Sequence, residues 1–448
     1  MINKIINLIY HEGFMKYLKN TSWLLAEKLL RLFASIIVGV WMARYLGPEK
    51  FGLLNYAQSF VWLFATISTL GLDGIIIRDL VNDESKRDVL LGTAFILKFI
   101  GACFVFIILA AAVNFTTNDE YTNKLIFLIA STIFFHSFNV IDYYFQSKVL
   151  NKYVAYSNII SLLIANLIKI TLIIKEAPLV SFVYLLIFES FLLSISFTYL
   201  YSYNHLSLKK WNFDFKVAKQ LLTDSWPLII SSIIIMIYMR IDQVMIKEML
   251  DNNAVGQYAA AVRLSEAWYF IPMVISSSLF PAIINAKKKC ITLYYTRLQV
   301  LFDFLTLLAI AIAIPVSFLS NYLINFLYGA NYNQTGSVLI IHIWAGLFVS
   351  LGVARGKWIL NENLQIYTFV FLSAGLMSNI VLNYFLIQSI GIVGAAYATL
   401  FSQAIGVFIT PVFIQKTRPS FFMMLKSLTL FSTVETFLNY RNKKKFYI

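Results

Sequence analysis

Apolar runs alternate with short polar breaks along the whole chain, at residues 22 to 42, 53 to 77, 89 to 113, 125 to 145, 154 to 174, 179 to 201, 226 to 246, 258 to 284, 299 to 319, 337 to 354, 366 to 387 and 391 to 414. About 20 residues at ~1.5 Å each cross a hydrocarbon core of roughly 30 Å, so each run is long enough to span a bilayer as a helix. No water in that core can satisfy a free backbone group, and the twelve runs therefore predict an all-α, polytopic membrane protein of 12 transmembrane helices. A further stretch, Phe421 to Phe437, is interrupted by Lys426 and several hydroxyl residues and precedes Lys443, Lys444 and Lys445. It reads as an amphipathic helix lying on the membrane surface. The first twenty residues mix Lys4, Lys16 and Lys19 with isoleucines and offer no small-residue cleavage site, which suggests an amphipathic lead-in and not a removed signal peptide.

The pattern repeats. Thr21-Ser22-Trp23-Leu24-Leu25 opens the first span and Asp224-Ser225-Trp226-Pro227-Leu228 opens the seventh; beyond each span, Leu46 precedes Gly52 and Leu250 precedes Gly256, both by six residues. Echoes six spans apart give both halves one orientation, a parallel repeat with a substrate site expected between the halves. The implied organisation is an N-terminal lobe at 1–201 (spans 1 to 6), a cytoplasmic linker at 202–224, a C-terminal lobe at 225–414 (spans 7 to 12) and a basic cytoplasmic tail at 415–448.

Composition sharpens this picture. The chain of 448 residues is 59% hydrophobic and 13% charged, with mean hydropathy +0.74, far from a soluble enzyme. Of its 36 Lys and Arg, 25 fall in segments that are cytoplasmic if the N-terminus is inside, and five fall outside. Basic residues resist translocation, so both termini are expected in the cytoplasm. The formal charge of +14 is thereby explained by topology, with no call for nucleic acid as a partner. Cys103 and Cys290 are too few for a disulfide framework or a cysteine metal site. The four histidines are dispersed and no phosphate-binding glycine loop occurs, so neither a metal, a cofactor nor ATP is expected.

Charges inside spans are costly and face a partner or a wet cavity. Arg31 lies ten residues into the first span, with Lys28 and Glu27 just before it. Glu27, Arg31 and Ser35 share a helix face, so Arg31 either pairs with Glu27 or lines a cavity as a cation. The second span carries Asn55, Ser59, Trp62, Thr66, Thr69 and Asp73 at spacings of three and four residues, and the fourth carries Thr132, His136, Asn139, Tyr143 and Gln146. Two such stripes predict a polar pathway. In the second half, Arg240 and Asp242, and Arg263 and Glu266, lie near the outer end of spans 7 and 8; they either brace an outer turn as salt-bridged pairs or line the cavity. Glu189 stands in mid-span without a basic neighbour in its own helix, which suits reversible proton binding and ion coupling. Its alternative partners, Lys98 and Lys169, are close enough to span ends to snorkel. Prolines 272, 281 and 411 within spans provide places to bend.

The run Asn20 to Glu27, the stretch Ala43 to Gly52, Asp224 to Leu228 with Arg240-Ile241-Asp242-Gln243, Gly256 to Glu266 followed by Phe280-Pro281-Ala282, and the later Tyr328 to Tyr332 and Gly391 to Ala396 together resemble the polysaccharide transport family of O-antigen flippases (Wzx). That family belongs to the multidrug/oligosaccharidyl-lipid/polysaccharide (MOP) exporter superfamily, and the resemblance implies two six-helix lobes forming a V around a central cavity. It also implies a flippase, not an enzyme, that moves undecaprenyl-diphosphate-linked oligosaccharide units across a bacterial inner membrane, with membrane lipid around it and an O-antigen polymerase and chain-length regulator as partners. On this reading Arg31, Lys28, Arg263 and Arg240 are the candidate substrate-binding cations, and Glu189, Glu27, Asp242, Glu266 and Asp73 the candidate ion-coupling or cavity residues. The alternatives are a drug or cation antiporter of the same superfamily, which would favour an acidic cavity, and a membrane polymerase or ligase, which would carry a large outer loop that this chain lacks.

Overall fold

The computed structural model describes residues 12–429, with side chains from Glu27 onward. Among the described residues the chain is helical and has no strand, and 11 helical stretches are long and apolar enough to cross a membrane. They accommodate the twelve expected spans because the first stretch, Glu27–Asn82, holds two. Helix α1 (Glu12–Thr69, 58 residues) leaves helical geometry at Gly47 (φ 69, ψ 169), immediately before Pro48. Glycine tolerates the positive φ that ends one helix, and proline, lacking an N–H, starts the next without loss. The turn is fastened by the Tyr45 hydroxyl, which donates to the Ala177 carbonyl at 2.8 Å. A second break follows at Leu70 (φ 53) and Gly71 (φ 58), ahead of α2 (Asp73–Asn82). A Cβ on Gly71 would stand 2.8 Å from the Leu228 Cβ, so the break also lets another helix come close.

Packing divides the chain at Met236/Ile237 into two units. The first holds α1, α2, α3 (Arg87–Ala112), α4 (Glu120–Ala130), α5 (Thr132–Phe135), α6 (Val140–Ser147), α7 (Asn151–Ile174), α8 (Leu179–Tyr203) and the start of α9 (Phe215–Met249). Its core gathers Leu72, Ile76, Leu91, Ile141, Phe145 and Tyr201. The expected linker, 202–224, is built into this unit: Asn212 N–H donates to the Asp88 carbonyl at 3.3 Å, Asp214 N–H to Thr93 Oγ1 at 3.1 Å, and the Trp211 indole to Tyr201 at 3.2 Å. The boundary between units falls within α9, some residues beyond the expected one.

The second unit continues with α10 (Asn252–Glu266), α11 (Phe270–Lys289), α12 (Ile291–Leu327), α13 (Thr335–His342), α14 (Ala345–Asn361), α15 (Ile366–Ile390), α16 (Ile392–Gln403), α17 (Thr410–Phe413) and α18 (Arg418–Leu428). Leu298, Phe302, Trp358, Phe371 and Met424 lie at its core. Between α16 and α17 the backbone widens into a π-helix, Ala404–Ile409. Such a widening frees carbonyls, and buried Arg355 answers those of Gly406 and Val407 while its guanidinium lies 4.3 Å from the Phe371 ring. The expected surface helix begins as α18, but Met423 and Met424 are buried in the core and only its other face, with Phe422 and Leu425, is exposed. That expectation is corrected to this extent; the stretch from 430 on, like residues 1–11, lies outside the described residues. Outward-facing Ile107, Leu167, Phe318 and Phe326 are exposed and suit a lipid surround.

Candidate functional site

Each unit contains one concentrated polar arrangement. In the first, a cavity of about 350 Å³ is lined by Trp62, Thr66 and Thr69 of α1, Asp73 of α2, Lys98 of α3, and Thr132, His136, Asn139 and Tyr143 from α5 through α6. Eight of these nine belong to the two stripes that the sequence marks, so both stripes face one space. Spacing explains it: residues three and four apart share a helix face, and inward is the only direction in which a hydroxyl or amide avoids hydrocarbon. Asn55 and Gln146, from the same stripes, bond instead within their own helices, to the Phe51 carbonyl at 2.7 Å and to Asp142 at 2.9 Å.

A charged relay crosses the cavity wall. Lys98 Nζ donates to the Tyr143 hydroxyl at 2.9 Å, and that hydroxyl donates to Asp73 Oδ1 at 2.6 Å. Lys98 is only 3% exposed, which corrects the expectation that it snorkels to a span end: α3 presents it to α6, not to the bilayer surface. It is also engaged by Tyr143 and not by Glu189. Glu189 itself is half-buried in α8 and forms no ion pair among the described residues. Arg31 and Glu27 do pair, Nε to Oε1 at 2.8 Å, with the arginine side chain 46% exposed and the carboxylate 6%. Lys28 is exposed.

In the second unit, Asp242 of α9 is buried among neutral donors from three other helices. Its Oδ2 accepts from Tyr258 of α10 at 2.7 Å and Thr399 of α16 at 2.6 Å, and its Oδ1 accepts from the Asn383 amide of α15 at 2.6 Å. Asn383 also donates to Asn379 Oδ1 at 3.0 Å, while its own Oδ1 is buried without a hydrogen-bond partner. Asp242 therefore does not brace Arg240, which lies two residues away on another side of the helix. Glu266 lies within electrostatic reach of Arg240, and Arg263 within reach of Tyr328, Tyr332 and Arg240. The Nε of Arg240 is buried without a partner. The Asp242 carboxylate is thus satisfied by one amide N–H and two hydroxyl donors, all neutral. Among the described residues no three His, Cys, Asp or Glu side chains gather.

Sequence reasoning missed Asn379, Asn383, Thr399 and Tyr258, and misplaced Lys98. Lys98 stands near the middle of α3, as deep as Arg31. Asn379 and Asn383, and Thr399 and Ser402, are short polar stripes of the kind recognised in the first half.

The fold is that of known transporters. The lipid II flippase MurJ, in an inward closed conformation, superposes with a TM-score of 0.65 at 18% identity, over 94% of this chain and 92% of that one. An inward-facing multidrug resistance MATE transporter of the MOP superfamily gives 0.65 at 12% identity, over 90% and 95%, and the eukaryotic MATE transporter AtDTX14 gives 0.56 at 13%, over 92% and 100%. No curated protein matches the sequence significantly. Residues 17–287, more than half of the chain, match the family described as polysaccharide biosynthesis protein, and with the MOP-type fold around them this multi-pass membrane protein belongs to that family.

Proposed function

We propose that the protein is a flippase that carries an undecaprenyl-diphosphate-linked oligosaccharide, the repeat unit of an O-antigen or related surface polysaccharide, from the cytoplasmic to the outer leaflet of a bacterial inner membrane. Both termini are then cytoplasmic, and a polysaccharide polymerase and chain-length regulator are its partners. The carrying observation is a cavity into which hydroxyl, amide, imidazole and charged side chains converge among spanning helices, in a member of a polysaccharide biosynthesis family. A water-filled polar route through hydrocarbon serves a hydrophilic headgroup while the lipid tail stays outside. Arg31 supports the same reading: Glu27 holds its Nε, and neither Nη has a hydrogen bond to a described residue, so the planar edge is oriented for phosphate oxygens.

Alternating access with a gradient needs a group whose charge is compensated in one state only. Asp242 fills this role. A cation entering beside Asn383 Oδ1 would take oxygens from Asp242, Asn383 and Asn379 and so tie α9 to α15. Glu189 is the second carboxylate considered for coupling. The test is transport of a fluorescent undecaprenyl-diphosphate-linked oligosaccharide by the purified protein in proteoliposomes, with and without imposed Na⁺ and H⁺ gradients. Gradient-stimulated transport that Asp242→Asn makes gradient-independent supports the reading, and the same assay on Glu189→Gln tells which carboxylate is coupled. Absence of any transport by the unmodified, folded protein refutes it.

A further inference from the structure

The cation on the wall of the first-unit cavity is already matched: Lys98 is tied through Tyr143 to Asp73. Asp142 adds another carboxylate within electrostatic reach of Lys98, Asp73 and Glu27. A diphosphate against this wall would meet more negative charge than positive, and like charges in a partly dry site repel strongly. The cavity therefore suits an uncharged ligand.

What it offers is neutral polarity beside an aromatic surface. The Asn139 amide and the His136 imidazole face the cavity and make no hydrogen bond to another described residue, and Asp73 is exposed with its Oδ2 open. Thr69 and Thr132 donate their hydroxyls to carbonyls of the preceding turn, at 2.8 and 2.7 Å, which leaves their lone pairs as acceptors. Trp62 is 39% exposed, and its one ring contact among the described residues is edge-on with His136, centroids 6.0 Å apart. A pyranose presents a matching surface: a flat face of C–H bonds that lies against an aromatic ring, and a rim of hydroxyls that both donate and accept. The volume, about 350 Å³, is at the small end of ligand sites and fits a short piece of glycan, not a whole repeat unit.

We propose that this cavity is a sugar subsite: Trp62 is the stacking platform for one uncharged pyranose of the lipid-linked glycan, and Asn139, His136 and Asp73 hold its hydroxyl rim. The proposal rests on the flippase reading and assigns one part of that substrate to the first unit. The test is binding of the purified full-length protein to sugar-free undecaprenyl diphosphate and to the same lipid carrying a hexose, an N-acetylhexosamine, a 6-deoxyhexose or a hexuronic acid, followed by thermophoresis. At least one uncharged sugar should tighten binding about tenfold over the sugar-free lipid, the scale of one well-stacked ring with its hydrogen bonds, and the hexuronic acid should bind more weakly than the uncharged hexose. Trp62→Ala should abolish that gain and leave the affinity for sugar-free lipid unchanged; Trp62→Phe should retain part of it, and Asn139→Ala should reduce it. If Trp62→Ala does not fold, Trp62→Phe and Asn139→Ala decide. Equal binding of all five lipids by the unmodified protein, or a variant that loses affinity for sugar-free and glycosylated lipid alike, overturns the subsite and leaves the flippase reading standing. Binding of none of them overturns both.

Discussion

Replacing Tyr143 by Phe should destabilise the first unit by about 2–3 kcal/mol, and replacing Lys98 as well should restore most of that loss. The Tyr143 hydroxyl accepts from Lys98 Nζ at 2.9 Å and donates to Asp73 at 2.6 Å. The two bonds do not weigh equally. Asp73 is exposed to the cavity and recovers a water when the hydroxyl goes, at little net cost. Lys98 is 3% exposed, and losing a hydrogen bond to a charged group costs ~1.5–3 kcal/mol, more when nothing replaces the partner. Lys98→Met alone removes the charge at similar volume, and exchanging a buried ionic group for a packed apolar one is commonly near neutral. The double variant Lys98→Met, Tyr143→Phe has no stranded ammonium, so it should melt above Tyr143→Phe.

Unfolding of the four proteins in detergent, followed by tryptophan fluorescence, gives the order directly. A thiol-reactive dye would be unsuitable because Cys103 and Cys290 are both exposed in the folded state. The expected order of melting temperature is unmodified and Lys98→Met together at the top, the double variant below them, and Tyr143→Phe last. Additive losses from the two single changes, with the double variant the least stable, would mean that Lys98 does not depend on the tyrosine, and the relay argument would be wrong.

Two further outcomes are expected. Arg31→Lys should keep part of the ability to restore surface polysaccharide in a flippase-null strain, normalised to inserted protein, and Arg31→Ala almost none, if, as proposed, the free guanidinium edge and not charge alone engages phosphate. If Glu27→Ala with Arg31→Ala recovers that activity, the pair is a brace and the ligand role falls. Reporter fusions at Asn118, Asn253 and Asn331 should read as outside and fusions at Ser207 and Lys288 as cytoplasmic, as the split of basic residues demands; one reversed site would break the topology.

The spans and the first-unit cavity were legible in the sequence for one physical reason: hydrocarbon punishes polarity, so periodic polarity must point inward. Trp62, Thr66, Thr69 and Asp73, with Thr132, His136, Asn139 and Tyr143, could be set on two helix faces from spacing alone, and they line one space. Beyond the i, i+4 pair of Glu27 and Arg31, which charge meets which partner was not legible. Two of the three partners of Asp242 lie 141 and 157 residues away in Asn383 and Thr399, while the oppositely charged neighbour in sequence, Arg240, is turned elsewhere by the helix itself. Lys98 was misread for the same reason, since depth along a span does not tell whether a side chain faces lipid or another helix.

In a low-dielectric interior an ion need not be met by a counter-ion; several aligned neutral donors satisfy a carboxylate as well. The spacing Asn379/Asn383 beside Thr399/Ser402 is the same kind of signal as the stripes of the first half, and it marks the second-unit site before any charge is considered. Reading opposite charges as pairs therefore points away from Asp242's environment, whereas asking where each amide and hydroxyl in a span can hide from lipid leads to it. The same question separates the two units chemically: a cavity with compensated charges and free neutral polarity in the first, and one carboxylate enclosed by amides and hydroxyls in the second.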